Sequence, residues 1–174
     1  MTEQEVIRKI RVVPDFPKKG IMFMDITTAL ADAECLQWFT NKIVDIYKKC
    51  GITKVMGIES RGFIVGAIAA KELGAGFVPI RKKGKLPADV IQENYEKEYG
   101  IDTIEIHKDA ITPDDVVLIH DDILATGGTI EAAIKLAKKV GVKKIYVNFL
   151  LELKELEGTK KIPQDIEVVS LLSC

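Results

Sequence analysis

Two adjacent carboxylates and a glycine-rich turn follow an apolar run of strand length in the second half of the chain. Asp121 and Asp122 come after the run Val116–Ile119, and the turn Ala125–Thr129 leads into an apolar helical pattern that starts at Ile130. A strand followed by a glycine-rich turn and a helix is how α/β sheets build a phosphate site. The glycines let the backbone approach an anion, and the free N–H groups and threonine hydroxyls can donate hydrogen bonds to it.

The two acids further restrict the class of ligand that this segment can bind. A phosphate site alone has no use for two neighbouring carboxylates, which would repel the phosphate. Asp121 and Asp122 can instead accept hydrogen bonds from the hydroxyls of a ribose, or face a hydrated Mg²⁺ beside it. The segment therefore indicates a site for a ribose 5-phosphate, and it has neither a Walker A loop nor a dinucleotide fingerprint. The alternative is an ordinary strand-to-helix turn with surface acids.

Further candidates for anion binding follow two other predicted strands. Arg61 lies in a turn after the predicted strand Lys54–Ile58, and the basic run Arg81–Lys85 comes directly after the predicted strand Phe77–Ile80. Because α/β proteins bind ligands at the carboxyl ends of their strands, these cations indicate a second anion site. The alternative for the basic run is a solvated surface, which is the usual place of such runs.

The composition fits one globular domain. The chain has 174 residues, of which 47% are hydrophobic and 29% charged, with a net charge of −1. This balance gives no basic surface for nucleic acid and no polybasic patch for a membrane, and no apolar run is long enough to span a bilayer. The first residues lack the features of a signal peptide. The cysteines Cys35, Cys50 and Cys174 lie far apart and fit reduced thiols, so we expect a cytoplasmic protein.

Hydrophobic periodicity predicts alternating helices and strands along most of the chain. Thr2 and Glu5 have the capping-box spacing of a short N-terminal helix. A second predicted helix is capped by Asp32, includes Leu36–Tyr47 and ends at Gly51. A third, over Phe63–Leu73, is expected to be buried on nearly every face, and a fourth runs from Ile130 to Gly141. Two further strands are predicted over Lys144–Leu151 and Ile166–Leu172. This alternation predicts a three-layer α/β domain in which helices flank a mainly parallel central sheet.

Two segments do not follow this alternation. Pro14–Gly20 is rich in proline and predicts a loop, ordered or disordered, and the apolar Ile21–Thr27 after it must pack on the core or on a ligand. Leu86–Ala110 has no strand-helix pattern, although Ile104 and Ile106 alternate with polar residues as in a half-exposed strand. A span of this length in a compact domain predicts a mobile, hairpin-like flap.

The run Asp121–Thr129, D-D-I-L-A-T-G-G-T, resembles the phosphoribosyl pyrophosphate motif of the type I phosphoribosyltransferases. Its form is most similar to the adenine enzymes of that family. Other matches to this branch are P-D-F-P-K-K-G-I-M-F-M-D-I-T from Pro14, which resembles the hood over the base, S-R-G-F from Ser60, which resembles the pyrophosphate loop, R-K-K-G-K-L-P from Arg81, and E-Y-G from Glu98, which resembles the catalytic flap. In the family the pyrophosphate loop often holds an unusual peptide, here expected at Glu59-Ser60.

The resemblance implies the fold of that family in a single domain over 1–174, with a hood over 1–30 and a flexible flap over 82–108. It implies transfer of the 5-phosphoribosyl group from phosphoribosyl pyrophosphate to adenine, which gives AMP and pyrophosphate in purine salvage. It also implies Mg²⁺ as cofactor, held mainly by the ligand with Asp121 and Asp122 nearby, and a homodimer.

The expected site has three parts. The phosphoribosyl-binding residues are Asp121, Asp122, Ala125, Thr126, Gly127, Gly128 and Thr129. The pyrophosphate-binding residues are Ser60, Arg61, Arg81, Lys82 and Lys85. The adenine-binding residues are Met22, Phe23 and Met24. The residues expected to act in catalysis are Glu98, Asp121, Asp122 and Arg61, because the transition state carries positive charge on the ribose and the leaving group carries negative charge.

Phe23 is the candidate for stacking on the base, with a core phenylalanine as the alternative. The backbone groups of Met22 and Met24 can read the adenine edge and would reject 6-oxopurines, which present the reverse donor and acceptor. Glu98 would hydrogen-bond the base near N7, with a solvated acid as the alternative. Met24 replaces a basic residue usual in the adenine enzymes, and His120 replaces an aliphatic one. We interpret His120 as a strand residue with a local hydrogen-bond partner.

Other functions stay open from the sequence. Within the same chemistry the base could be xanthine, hypoxanthine or guanine. Some proteins of this fold are regulators that bind the phosphoribosyl ligand without catalysis, but these usually carry an added DNA-binding domain. A kinase of ribose phosphate would need a second domain with an ATP site.

Overall fold

A seven-stranded sheet forms the centre of the molecule in the computed structural model, which describes residues 1–97 and 100–174. The helices are α1 (Glu3–Lys9), α2 (Thr27–Leu30), α3 (Ala33–Tyr47), α4 (Gly62–Leu73) and α5 (Gly128–Val140). The strands are β1 (Arg11–Pro14), β2 (Met22–Asp25), β3 (Lys54–Ile58), β4 (Gly76–Lys82), β5 (Val90–Glu96), β6 (Ile101–His107), β7 (Val116–Leu124), β8 (Lys144–Glu152) and β9 (Glu167–Ser173). Two 3-10 turns, Lys154–Leu156 and Gly158–Lys161, precede β9.

The order of the strands in the sheet is β5-β6-β4-β3-β7-β8-β9. The pairs from β4 to β9 are all parallel, whereas β5 and β6 form an antiparallel hairpin that pairs with the end of β4. The mainly parallel sheet predicted from the sequence is therefore confirmed. Its parallel strands end at one edge, where β3, β4 and β7 bring their carboxyl-terminal residues together.

Helices cover both faces of the sheet, because neighbouring strand residues point to opposite sides. On one face Ile119 and Val147 pack with Ile134 of α5 in an apolar cluster. On the other face Leu118 packs in a second cluster, with side chains from α3 and α4. The three-layer arrangement thus follows from apolar residues at consecutive positions of buried strands.

The helix starts follow the capping residues in the sequence. Thr2 and Glu5 form the complete capping box of α1. The side chain of Asp32 accepts hydrogen bonds from the N–H groups of Glu34 and Cys35 at the start of α3. That helix ends at Tyr47, before the glycine expected to stop it.

Three elements differ from the sequence prediction. Helix α4 is not buried on nearly every face: Ile64 is 44% exposed, because only one side of the helix faces the sheet. Strand β7 continues beyond Ile119 through the two acids, since pairing with β8 extends to Leu124. Helix α5 begins at Gly128 rather than at Ile130.

The two irregular segments of the sequence both contain hairpins. Strands β1 and β2 pair around the ordered loop that contains Phe16, and the Phe16-Pro17 peptide is cis. Strands β5 and β6 form the hairpin expected between Leu86 and Ala110. Within β6, Ile104 and Ile106 are buried, but Glu105 is buried as well, because its carboxylate accepts a hydrogen bond from the Gly84 N–H at 3.1 Å.

No helix in the described part of the chain combines the length and the apolar content needed to cross a bilayer.

Asp115 joins the turn before β7 to the start of β3. Its carboxylate accepts hydrogen bonds from the Thr53 hydroxyl at 2.7 Å and from the Thr112 N–H at 2.8 Å. Burial alone would raise the pKa of Asp115, but these hydrogen bonds hold it below the ordinary aspartate value. The ionised carboxylate therefore stabilises the fold above the unfolded-state pKa, and this contribution is lost as pH falls through the folded-state pKa.

We predict that Asp115→Asn lowers the free energy of unfolding at pH 7 by about 1–2 kcal/mol, because an amide cannot accept both sets of hydrogen bonds. Urea unfolding at pH 7 and at about pH 3 measures the effect, because the difference from wild type should shrink below about pH 4. Asp114→Asn is the matched control, since Asp114 is exposed. Equal unfolding midpoints for the two variants at pH 7 would contradict the assigned role of Asp115.

Candidate active site

Asp121 and Asp122 occupy the end of β7 at the carboxyl edge of the sheet. Asp122 is 3% exposed and forms an ion pair with Nε of Arg61. Burial raises the pKa of Asp121 well above its ordinary value, and the negative charge of Asp122 raises it further. The neighbouring acids therefore differ: the charge of Asp122 is balanced by a cation, whereas ionisation of Asp121 is opposed by its surroundings.

The turn that carries Arg61 lies directly against the acids. A Cβ atom at Gly62 would lie 2.8 Å from the carbonyl oxygen of His120 and 3.0 Å from Oδ1 of Asp121, so only glycine allows this approach. The Glu59-Ser60 peptide is cis, which confirms the unusual peptide expected there. Strand β3, this turn and the start of α4 thus hold Ser60 and Arg61 next to the end of β7.

The turn Ala125–Thr129 connects β7 to α5 as the sequence predicts. Gly127 has φ +82°, a conformation that favours glycine, and it is the N-cap of α5. A small cavity of about 90 Å³ is lined by the turn and by Phe149 beneath it. The first N–H groups of α5 have no partner within the helix, so they can donate to an anion at this position.

Two carboxylates position the expected pyrophosphate-binding cations. Glu59 forms ion pairs with Lys85 and with Nε of Arg81, the latter at 3.4 Å, and it accepts a hydrogen bond from the backbone N–H of Lys82 at 2.8 Å. Nζ of Lys82 lies 3.3 Å from Oδ2 of Asp102 on β6. Burial would raise the pKa of Glu59, but the hydrogen bonds from Lys85 and Lys82 lower it below the ordinary glutamate value. Glu59 is therefore an anion at neutral pH.

A cavity of about 380 Å³ lies where these segments meet. It is lined by Glu59, Ser60, Arg61, Lys82, Lys85, Asp121 and Asp122. The acids of β7, the turn after β3 and the basic end of β4 therefore surround one space. Arg81 does not line this cavity, but it forms an ion pair with Glu59, which does. The arrangement can hold a ligand that is anionic at one end and carries hydroxyl groups at the other.

The hairpin β5–β6 contributes two residues that the sequence interpretation did not assign. Tyr95 lines a neighbouring cavity of about 190 Å³ together with Lys82, Asp121 and Thr129. Its hydroxyl donates to Oδ2 of Asp102 at 3.0 Å. An ion pair from Lys97 and hydrogen bonds from Thr103 and Tyr95 lower the pKa of Asp102 strongly. Tyr95 and Asp102 lie opposite each other on β5 and β6. The sequence could have predicted their contact only if the register of these two strands had been known.

The expected base-binding residues lie on β2, in the N-terminal hairpin. Phe23 is half-buried, and its ring packs edge-on against Phe16 with 5.1 Å between centroids. Met22, Phe23 and Met24 do not line the three cavities described above. Asp25 is the last residue of β2, and hydrogen bonds from Thr27 lower its pKa. The positive charges of Arg11 and Arg61 lower this pKa as well, so Asp25 interacts electrostatically with a residue that lines the cavity. The expected Glu98 lies outside the described residues.

His120 has the local hydrogen-bond partner that we expected. Its Nδ1 lies 3.0 Å from Oδ1 of Asn148, whose Nδ2 donates to the carbonyl oxygen of Val169 at 3.0 Å. Burial lowers the pKa of His120 to about 4. The ring is therefore neutral at physiological pH and adds no positive charge next to Asp121 and Asp122.

Comparisons with known proteins agree on one family. Residues 29–172 match the model of the phosphoribosyl transferase domain. The chain is 57% identical over 173 residues to the adenine phosphoribosyltransferase of Bacteroides thetaiotaomicron, which covers 99% of this chain and 98% of that protein.

Solved structures give the same result. The adenine phosphoribosyltransferase of Rhodothermus marinus superposes with a TM-score of 0.93 at 49% identity and covers 99% of this chain and 98% of its own. That of Giardia lamblia, complexed with 9-deazaadenine, superposes with a TM-score of 0.94 at 45% identity and covers 100% of this chain and 98% of its own. Together with the acids, the turn Ala125–Thr129 and the cations around one cavity, these similarities show that the chain belongs to the adenine phosphoribosyltransferase family.

Proposed function

We propose that this chain transfers the 5-phosphoribosyl group from phosphoribosyl pyrophosphate to adenine and releases AMP and pyrophosphate. The observation that carries the assignment of roles is the cavity of about 380 Å³ in which the two acids face Arg61, Lys82 and Lys85. One end of this cavity suits the hydroxyls of a ribose and the other a pyrophosphate. The turn Ala125–Thr129, called the phosphate turn from here on, follows the acids in the chain, as it does in the motif.

The donor is held at two points of β7 and the turn after it. The backbone N–H groups of Ala125–Thr129 and the hydroxyls of Thr126 and Thr129 bind the 5-phosphate. Asp121 and Asp122 accept hydrogen bonds from the ribose hydroxyls. In their ionised form these carboxylates also favour the positive charge that develops on the ribose ring as the bond to pyrophosphate breaks.

The leaving pyrophosphate is bound by Ser60, Arg61, Arg81, Lys82 and Lys85. Glu59 and Asp102 form ion pairs with three of these cations, and Asp122 forms one with Arg61. The cations are therefore in place before the donor arrives, which is what electrostatic stabilisation of a leaving group requires. Glu59 acts as a positioning residue in this proposal, since it contacts the cations rather than the donor.

Mg²⁺ fits this site as an ion held mainly by the donor. The described residues contain no group of three or more His, Cys, Asp or Glu side chains placed to hold a metal. The two carboxylates that do face the cavity, Asp121 and Asp122, are oxygen ligands of the kind that Mg²⁺ prefers, directly or through water. When bound, the ion neutralises charge on the pyrophosphate.

The base is bound on the N-terminal hairpin in this proposal. Phe23 stacks on adenine, and the backbone of Met22 and Met24 reads its edge. The complex of the Giardia lamblia relative with 9-deazaadenine supports a base of the adenine type. Glu98 would hydrogen-bond the base near N7, so that the base can accept charge as N9 forms the new bond.

The same family membership supports the proposed organisation of the chain. We propose a single domain over 1–174, a hood over 1–30 that covers the base and a flexible flap over 82–108 that covers the donor. We also propose that the protein works as a homodimer in the cytoplasm. The three cysteines, which are all free, fit that compartment.

The activity is tested by initial rates with Mg²⁺ and phosphoribosyl pyrophosphate, with adenine, hypoxanthine, guanine and xanthine offered separately. We expect turnover of adenine alone, and no turnover after chelation of Mg²⁺ by EDTA. Turnover of a 6-oxopurine would refute the assignment of the base-binding residues but would leave the assignment of the donor-binding residues unchanged. Tight donor binding without turnover of any base would instead indicate a regulator.

The two acids should respond differently to removal of their charge. We predict that Asp121→Asn and Asp122→Asn each lower kcat/KM by roughly 10²-fold or more, because both act on the charge of the transition state. Asp122→Asn should also lower the free energy of unfolding by about 1–2 kcal/mol, since it leaves the partly solvated Arg61 unpaired.

Asp121→Asn should not destabilise the fold. The raised pKa of Asp121 means that folding favours its protonated form, so stability is lost as pH rises through the folded-state pKa. The melting temperature of Asp121→Asn should therefore equal or exceed that of wild type at pH 8, and thermal unfolding at pH 6 and pH 8 measures this. Full activity of either variant, or a lower melting temperature for Asp121→Asn than for Asp122→Asn, would refute these roles.

Phe23→Ala should raise the KM for adenine about tenfold and change the KM for the donor by less than about twofold, because it removes the stacking surface for the base and leaves the donor site in place. Val12→Ala is the matched control, since Val12 is exposed and pairs with the neighbouring Met24 in the same hairpin. Steady-state kinetics with each substrate varied in turn separates the two effects. Equal increases in both KM values would show that Phe23 has a packing role.

A further inference from the structure

The proposed phosphate site has no cation within its own turn. Ala125–Thr129 consists of alanine, glycine and threonine, and the expected cations belong to the pyrophosphate end of the cavity. A phosphate monoester carries a charge of about −1.5 to −2 at pH 7. Asp121, whose ionisation would oppose that charge, lines the same small cavity as the turn. A nearby positive side chain would therefore favour binding of the 5-phosphate.

The 3-10 turn Gly158–Lys161 packs against the phosphate turn through its backbone. A Cβ atom at Gly127 would lie 2.4 Å from the carbonyl oxygen of Gly158, and one at Gly158 would lie 2.2 Å from the carbonyl oxygen of Ala125. Both distances are far shorter than any real contact, so neither position can carry a side chain. This reciprocal contact fixes the 3-10 turn next to the phosphate turn.

Lys161, at the end of this 3-10 turn, reaches the start of α5. Its Nζ lies 3.8 Å from the position that a Cβ atom at Gly128 would occupy, and both residues line a cavity of about 420 Å³. Within residues 1–97 and 100–174 Lys161 forms no salt bridge, whereas the adjacent Lys160 pairs with Glu157 at 2.6 Å. Glu96 and Glu131 line the same cavity, but Glu131 pairs with Lys135, and no described carboxylate forms a salt bridge with Lys161.

A positive side chain close to a helix N-terminus is unfavourable unless an anion lies between them. The N-terminus of α5 carries a partial positive charge, which repels a second positive charge nearby. A bound phosphate reverses the sign of the interaction, because it would lie between the N–H groups of the helix and the ammonium group. An anion bound at the start of α5 would therefore be stabilised by Lys161.

We infer that Lys161 is a further binding residue for the 5-phosphate of a phosphoribosyl ligand, held in place by the contact between Gly127 and Gly158. The inference rests on the proposed function, since it adds a residue to the donor site. Lys161 acts on the phosphate monoester end of the ligand and not on the pyrophosphate end. Ligands that contain only one of these ends can therefore separate its effect from a general effect of surface charge.

The experiment compares Lys161→Met with wild type, with Lys160→Met as matched control and Lys161→Arg as the variant that keeps the charge. Titration calorimetry measures binding of ribose 5-phosphate and of pyrophosphate, and steady-state kinetics measures the KM for the donor. Lys161→Met should weaken ribose 5-phosphate and raise the donor KM about fivefold, the size expected of a partly exposed charge pair. The dissociation constant of pyrophosphate and kcat should each change by less than about twofold.

The controls decide whether the effect belongs to this position. Lys161→Arg should bind ribose 5-phosphate nearly as well as wild type, and Lys160→Met should be indistinguishable from it. The loss in Lys161→Met should also shrink at high salt. Equal losses in Lys160→Met and Lys161→Met, equal losses for both ligands, or unchanged ribose 5-phosphate binding in Lys161→Met would each overturn the inference.

The outcome also separates the inference from the proposed function. If wild type turns over adenine but Lys161→Met binds ribose 5-phosphate normally, only the role of Lys161 is wrong. If wild type shows no turnover but its binding of ribose 5-phosphate depends on Lys161, the inference stands and the transferase activity is wrong.

Discussion

The ion pair between Arg61 and Asp122 is the interaction on which the rest of the site depends. It connects the start of α4 to the end of β7, and Asp122 is almost fully buried. A buried carboxylate without a partner would be strongly unfavourable, so the charge of Asp122 keeps Arg61 close to the acids. The turn that carries Arg61 is thereby fixed against the strand that carries Asp121 and Asp122.

Close backbone contacts make this arrangement possible. Gly62 lets the turn after β3 approach β7, and Gly127 with Gly158 lets the phosphate turn approach the 3-10 turn. In each case a methyl group would collide with a backbone carbonyl oxygen, which cannot move aside as a flexible side chain can. The acids and the phosphate turn are therefore supported from both sides by main chain rather than by adaptable side chains. This suits a site that works by placing charges accurately.

The sequence predicted the parts of the site whose residues are close together in the chain. Asp121, Asp122 and the turn Ala125–Thr129 were recognised because a strand, a turn and a helix follow one another within one short segment. The cations after β3 and β4 were recognised by a second local rule, that ligands bind at the carboxyl ends of parallel strands. These predictions required no knowledge of how distant segments pack.

Contacts between distant segments could not be predicted in the same way. The role of Glu59 depends on how its turn faces the end of β4, although an acid directly after a buried strand and opposite a basic run was a usable signal. The contact of Tyr95 with Asp102 depends on the hairpin register, and that of Gly127 with Gly158 on tertiary packing. The exposed side of α4 was missed because apolar content alone does not show which faces of a helix have a neighbour.

Carboxylates of the protein itself hold the cations of the candidate site, and this affects how the donor can bind. Arg61, Lys82 and Lys85 are long side chains whose ordering would otherwise oppose binding of the donor. Their pairing with Asp122, Asp102 and Glu59 orders them beforehand. A pyrophosphate must then compete with these carboxylates for the same cations. It can do so because it offers several charged oxygens at once, whereas each carboxylate is fixed by its own strand or turn and need not leave.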